Sequence, residues 1–306
     1  FYTQIVFEKG NQEIFMKILI EYIAGLGDIL IDIAYFKKYK EKYPNAQIDI
    51  STDKTSAELL KSCNAVNVVE IKKFSASPED IDLSIKNKYD KHLQISGLMS
   101  WAFYAKVDKM LYKARGDAFF PEIDITLEDM YGNIPSLMPD DMLLDFDIPV
   151  IISVPAPQRV AQGKTISEDL WNDIINYFKD IAFIQIGSKD FDYSFNQNNV
   201  VDLRNKLNIV NALGLIPYSK FLIGVDNILN HASVCFKKRG LFFWGSNSPN
   251  QYGYKQNINL YNPKKCSPCL YNRLFDKTQC CQYPNIDTIS FKETKKAIKK
   301  LLKELR

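Results

Sequence analysis

The feature that most constrains this chain is a repeated succession of short apolar runs and helical stretches joined by tight turns. In the first half, an apolar run over residues 13–22 leads into Gly25-Leu-Gly27-Asp28 and a helix predicted over 29–43. Pro44 and Asn45 turn the chain into a strand at 46–51, a helical stretch at 56–62, a strand at 66–71 and a further strand at 89–95. Upstream, residues 4–7 read as a strand joined to 13–22 through a turn at Gly10 and Asn11. Three prolines and a cluster of aspartates over 131–149 interrupt the pattern, which then restarts. Strands are expected at 150–154, 182–187, 220–225 and 240–244, with helices at 167–177, 209–217 and 227–235 between them. Parallel neighbours need a crossover connection, and a helix supplies it, so the expectation is α/β architecture in two Rossmann-like domains, 1–145 and 146–306. In such sheets ligands bind beyond the carboxyl ends of the strands, which places the expected site in a cleft between the halves.

Composition bounds the function. With 306 residues, 46% apolar and 25% charged, the chain supports a large core and is neither disordered nor collagen-like. A net charge of +3 is too small to predict nucleic-acid binding. The surplus is concentrated, however. Residues 292–306 carry seven basic and two acidic side chains, a local +5, which leaves −2 for everything before them. Ala297, Ile298, Leu301, Leu302 and Leu305 recur there at helical spacing, so the segment reads as an amphipathic helix with a lysine-rich outer face. Its two readings are a solvated terminal helix and attraction to an anionic membrane surface. The first residues lack a basic start followed by an apolar run, and no stretch of about 18 uncharged apolar residues occurs. The expected location is therefore cytoplasmic, with peripheral contact at the inner membrane.

Cysteine usage follows from that compartment, where thiols stay reduced. Cys63 and Cys235 stand alone in apolar surroundings, whereas Cys266, Cys269, Cys280 and Cys281 fall within sixteen residues. The cluster is a candidate for structural zinc or iron, or an inert group of thiols. The adjacent pair fits one ion only in a tight loop, because neighbouring side chains of an extended strand point apart.

Two junctions carry chemistry. Gly25-Leu-Gly27-Asp28 follows an apolar strand and opens a helix, where glycines let backbone amides approach a ligand and the helix start favours an anion. Leu30 stands where a dinucleotide fingerprint needs its third glycine, so Asp28 reads either as a helix N-cap or as a functional carboxylate. The second junction is Asp226-Asn227, between the predicted strand 220–225 and a helix. His231, one of two histidines, lies one turn beyond Asn227 on the same helix face. Three Asp-x-Asp pairs, at Asp80, Asp145 and Asp190, are discounted as metal sites because none follows an apolar strand.

In order and spacing these junctions resemble the ADP-heptose:lipopolysaccharide heptosyltransferase family, glycosyltransferase family 9. The landmarks are Gly27-Asp28, Tyr43-Pro44-Asn45-Ala46, Tyr89-Asp90 leading to Leu93-Gln94-Ile95-Ser96-Gly97, and Asp226-x4-His231. Gly163-Lys164 lies seven residues before Trp171, as the family's phosphate-contacting lysine does, and Asp202-Leu203 precedes Asp226. Trp244-Gly245-x-x-Ser248-Pro249 and Cys266-x2-Cys269 resemble its closing segment. The similarity runs from about residue 16 to 302. It implies a GT-B fold, two Rossmann-like domains facing across a cleft, with the C-terminal helix packing back on the first domain. It also implies a nucleotide-sugar donor, ADP-heptose foremost, on the second domain and a saccharide acceptor on the first.

Within that resemblance Asp28 is the expected base, and Lys164, Asp226, Asn227, His231 and Asp190 are expected around the donor. Ile228 departs from the family's glycine and restricts how closely a phosphate approaches the helix start. The implied reaction is an inverting transfer to a lipopolysaccharide-type or other saccharide acceptor, with no divalent cation. A different donor sugar, a protein acceptor as in the related autotransporter heptosyltransferases, or a silent nucleotide-sugar-binding protein are the alternatives.

Overall fold

In the computed structural model the described residues are 16–72, 87–96, 109–135, 149–155, 164–190, 192–263, 267 and 288–304. Two wholly parallel sheets account for all the strands among them. The first half contributes β1 (Lys17–Ile23), α1 (Leu26–Lys42), β2 (Gln47–Asp53), α2 (Lys54–Lys61), β3 (Asn67–Lys72), β4 (Lys91–Ser96) and α3 (Leu111–Phe119). Its sheet order is β3-β2-β1-β4, with Ile20 of β1 in register with Ile50 of β2 and Leu93 of β4.

Beyond it come β5 (Pro149–Ile152), α4 (Glu168–Tyr177), β6 (Ala182–Gln185), β7 (Val200–Asp202), α5 (Ile209–Gly214) and β8 (Phe221–Val225). The chain continues through α6 (Ile228–Cys235), β9 (Gly240–Trp244), α7 (Pro249–Tyr252), β10 (Ile258–Tyr261) and α8 (Phe291–Glu304). This sheet runs β10-β9-β8-β5-β6-β7. Its strands are apolar on both faces, as a parallel sheet covered on both sides requires. Ile151, Ile184, Leu222 and Phe242 point into one cluster, whereas Val150, Ile152, Phe183, Ile223 and Phe243 point into another.

The first of those clusters is shared between the halves. It joins Ile29, Leu30, Ile33 and Phe36 of α1 with Leu229, Ala232 and Val234 of α6. Helix α1 lies between its own sheet and α6, which is why it is buried nearly all round, polar Asp32 included.

The second cluster takes in Trp171 and Ile174 of α4 and Ala297, Ile298 and Leu301 of α8. The C-terminal helix, expected on the first domain, therefore docks on the second, against α4 and β9. Its apolar stripe matches the outer apolar face of the second sheet, and Phe291 meets Tyr177 edge to face, 5.6 Å between ring centres. Helix α3 and strands β7 and β10 were not anticipated from sequence. The strand expected at 4–7 lies outside the described residues. Among the described residues no helix is long and apolar enough to cross a membrane.

Candidate functional site

The site begins at the first turn of α1. Gly25 is the N-cap, in an extended conformation, and Asp28 is the third helical residue. The Asp28 carboxylate reaches back to accept from the Gly25 amide at 3.3 Å, which completes a capping box and sets an anion against the positive end of the helix. Asp28 is thus a first-turn residue, and the N-cap reading of it does not hold. Gly27 is explained by closeness: a Cβ there would sit 2.6 Å from His231 Cδ2 and 3.1 Å from Nε2. The glycine expected to admit a ligand admits an imidazole from the other half instead.

Beneath Asp28 lies a buried ionic group. Arg115 of α3, fully buried, donates through Nε to Asp32 Oδ1 at 2.6 Å and through a terminal nitrogen to Asp32 Oδ2. Tyr22 of β1 donates to the same Oδ2 at 2.7 Å. Arg115 also lies 3.3 Å from Asp28 Oδ2, so one guanidinium serves two carboxylates one helical turn apart. Both Asp32 oxygens accept from donors, the arrangement of an ionised carboxylate. Burial pushes its carboxyl up from the ordinary range, against the pull of Arg115 and Tyr22. The two carboxylates hold Arg115 firmly charged. Gly116 makes this packing close, since a Cβ there would strike the Tyr35 hydroxyl, which donates to Tyr112 O at 2.6 Å.

The facing half supplies the rest from the carboxyl end of β8 and the start of α6. Lys164 Nζ pairs with Asp226 Oδ2 at 2.8 Å, the lysine partly exposed and the aspartate buried. Asn247, from the loop after β9, donates to the same oxygen. Asn227 caps α6 by accepting from the Leu229 amide at 3.0 Å, and its Nδ2 donates to Ser153 Oγ at 2.9 Å. Both ends of the Asn227 side-chain amide are therefore engaged, the oxygen in the cap and the nitrogen on Ser153. His231 is buried, its Nδ1 2.8 Å from the Tyr254 hydroxyl, and its Nε2 faces Gly27. Burial holds the imidazole pKa down, against the charges of Asp28 and Asp226; Lys164 and Arg115 act on the same ring. Gly27, against His231 and the Ile228 backbone, brings the two junctions together, and the site is this group of side chains from both halves.

Of the sequence-predicted residues, Asp28, Lys164, Asp226, Asn227 and His231 come together here, with Gly25 and Gly27 at the entrance to α1. Asp190 is exposed in the loop after β6, two strands along the sheet from β8. Its neighbour Asp192 is held closer in, accepting from the Ser188 amide at 3.0 Å, and burial pushes its carboxyl up to about 6. Asp202 is bound by Arg204 through two oxygens and held down at about 2. Cys266, Cys269, Cys280 and Cys281, and the Asp80 and Asp145 pairs, lie outside the described residues. Sequence reasoning missed Arg115, Asp32, Asn247 and Tyr254. One signal was present for Arg115: arginine occurs only six times among 39 basic residues, and here it precedes a glycine.

No family model matches the chain, and no curated protein matches it in sequence. Solved structures do resemble it. A glycosyltransferase family 9 protein from Veillonella parvula superimposes with a TM-score of 0.69 at 12% identity, over 95% of this chain and 98% of that one. The iron-containing dodecameric glycosyltransferase TibC of enterotoxigenic E. coli gives 0.64 at 13% identity, over 95% and 77%. The E. coli ADP-heptose lipopolysaccharide heptosyltransferase II gives 0.62 at 14% identity, over 94% and 99%. At these identities the likeness establishes the fold: two parallel sheets in the GT-B arrangement of these glycosyltransferases.

Proposed function

We propose that this chain is a glycosyltransferase that moves a sugar, heptose foremost, from a nucleotide-diphosphate donor to a saccharide acceptor, with inversion and without a divalent cation. The observation that carries the reading is the meeting of Asp28 from one half with Lys164, Asp226 and His231 from the other, at the carboxyl end of β8. Two of the similar structures hold the matching ligands: E. coli WaaC was solved with ADP and TibC with ADP-D-beta-D-heptose.

The chemistry follows from the groups. Asp28 takes the proton of the acceptor hydroxyl as its oxygen attacks the anomeric carbon. The bond from that carbon to the diphosphate oxygen breaks, and the nucleoside diphosphate leaves with the electron pair. Lys164 meets the charge growing on the leaving phosphate, exchanging Asp226 for it; Asp226, itself held by Asn247, keeps the lysine ready meanwhile. A single displacement from the face opposite the leaving group inverts the centre. The lysine face of α8 gives the enzyme an attachment to an anionic membrane carrying a lipid-linked acceptor.

The test has two arms. A thermal-shift screen of nucleoside diphosphates and their sugars should single out ADP and ADP-heptose, since a ligand at a hundred times its Kd adds about 2.7 kcal/mol of stability. Transfer measured on the responding donor should fall by about 10²–10⁴ in Asp28→Asn, persist in chelator, and leave nucleotide binding intact. A flat response to every nucleotide defeats the reading.

A further inference from the structure

The catalytic scheme leaves an ion pair unexplained. Arg115 and Asp32 are both fully buried, 83 residues apart in sequence, and joined as a fork. A buried pair of this kind is weak grounds for stability, since apolar residues of similar volume generally do as well. Its place in the molecule suggests another task. The guanidinium nitrogen outside the fork lies 3.3 Å from Asp28 Oδ2. The Gly25 amide approaches the same oxygen at 3.3 Å.

We infer that Arg115 and Asp32 are positioning residues for Asp28: Arg115 fixes the carboxylate, and Asp32 grips Arg115 and opposes part of the guanidinium charge that Asp28 meets. The inference rests on the reading of Asp28 as the base. A lone guanidinium at this distance orients a carboxylate but favours its ionised form, and so weakens it as a proton acceptor. A second carboxylate gripping the same guanidinium opposes that effect without loosening the grip. Tyr22, whose phenol burial and Asp32 keep protonated, tethers Asp32 from β1. The charged and titratable groups acting at Asp28 are then Arg115 from α3, Asp32 from α1, His231 from α6 and the phenols of Tyr22 on β1, Tyr252 at the end of α7 and Tyr254 just beyond it. Asp226 and Lys164 act on the same imidazole, whose pKa burial holds down. The arrangement also accounts for α3, whose Gly116 lets it lie close enough on α1 for Arg115 to reach both carboxylates.

The two partners push in opposite directions, which a merely structural role does not require. Asp32→Asn leaves the guanidinium to act on Asp28 alone, so the Asp28 titration midpoint should fall by about one unit. Arg115→Gln removes the cation, so the midpoint should rise by about one unit. The direct measurement is carbon NMR of aspartate-labelled full-length chain, with the Asp28 signal assigned by its loss in Asp28→Asn. Where a single variant fails to fold, the double variant Arg115→Gln with Asp32→Asn exchanges the buried charges for neutral hydrogen-bonding groups. It should place the midpoint above that of the parent, because the nearer charge has gone.

The acid limb of kcat/KM for transfer should follow the same shifts, with nucleotide affinity unchanged. Midpoints that do not move, or that move in the same direction in both single variants, overturn the inference. If the parent protein transfers no sugar while the carboxylate still titrates with these opposite shifts, the functional reading fails and the electrostatic coupling stands. If transfer occurs and the midpoints are unmoved, the reverse holds.

Discussion

At the scale of single residues, the aspartates of this chain differ by environment more than by spacing. Asp202 keeps two oxygens on Arg204 and is held at about 2, while Asp192, ten residues earlier, is half-buried and pushed up to about 6. A carboxyl whose folded pKa lies above its unfolded value near 3.9 binds protons more readily in the native state. It favours folding below the unfolded value, and that contribution is lost as pH rises through 6. Asp192→Asn should therefore raise stability at pH 7.5 by about 1 kcal/mol, a figure discounted for the partial exposure of the group. The gain should shrink to nothing by about pH 3, where the parent carboxyl is protonated in both states. Urea unfolding of parent and variant at those two pH values checks the sign; a gain that grows as pH falls is the contrary result.

At the scale of elements, the legible parts of the fold were those with a simple hydrophobic period. Phe221–Val225 is a run of five buried residues, and a parallel strand needs little more to announce itself. The helix Leu111–Phe119 announced nothing, because Gly116 breaks its pattern and an ion pair to Asp32 ties it to α1. Strands Val200–Asp202 and Ile258–Tyr261 are three- and four-residue edges, only partly buried, and too short to show an alternation. Asp28, Asp226 and His231 were legible because each stands at a strand-to-helix junction. Arg115 and Asn247 were not, since their partners lie 83 and 21 residues away.

Helix α8 was legible as amphipathic, but which face of the molecule it covers depended on the apolar outer face of the second sheet. Its lysines remain outside: Lys292, Lys296, Lys299, Lys300 and Lys303 are exposed, and Lys295 and Lys299 lie over the ring of exposed Tyr177. A basic face around an exposed aromatic suits an anionic lipid surface. At about 1 kcal/mol per lysine, replacing Lys296, Lys299 and Lys300 by Gln should weaken sedimentation with phosphatidylserine vesicles about a hundredfold, with no change on neutral vesicles. Equal binding by the parent to both vesicle types would remove the membrane role.

At the scale of the whole molecule, the two halves meet where α1 lies against α6, and the meeting depends on one missing side chain. Gly27 leaves room for His231, whose Nδ1 is fixed by Tyr254 and whose backbone belongs to a helix packed on the second sheet. Neither partner is free to yield. A methyl at position 27 must displace the imidazole or part the helices, and such overpacking costs about 1–3 kcal/mol. Parting the helices also carries Asp28 away from Lys164 and Asp226, and a displacement near 1 Å lowers transfer by about a hundredfold. Gly27→Ala should accordingly lose both stability and activity. His231→Ala opens the space again, so adding it to Gly27→Ala should recover the melting temperature. Because it also removes the imidazole on which the Asp28–Arg115 and Lys164–Asp226 pairs both act, activity should stay low. Stability and transfer thus separate in the double variant, as they would not if Gly27 served only to bring backbone amides to a phosphate. A double variant as unstable as Gly27→Ala alone would place the clash elsewhere than at His231.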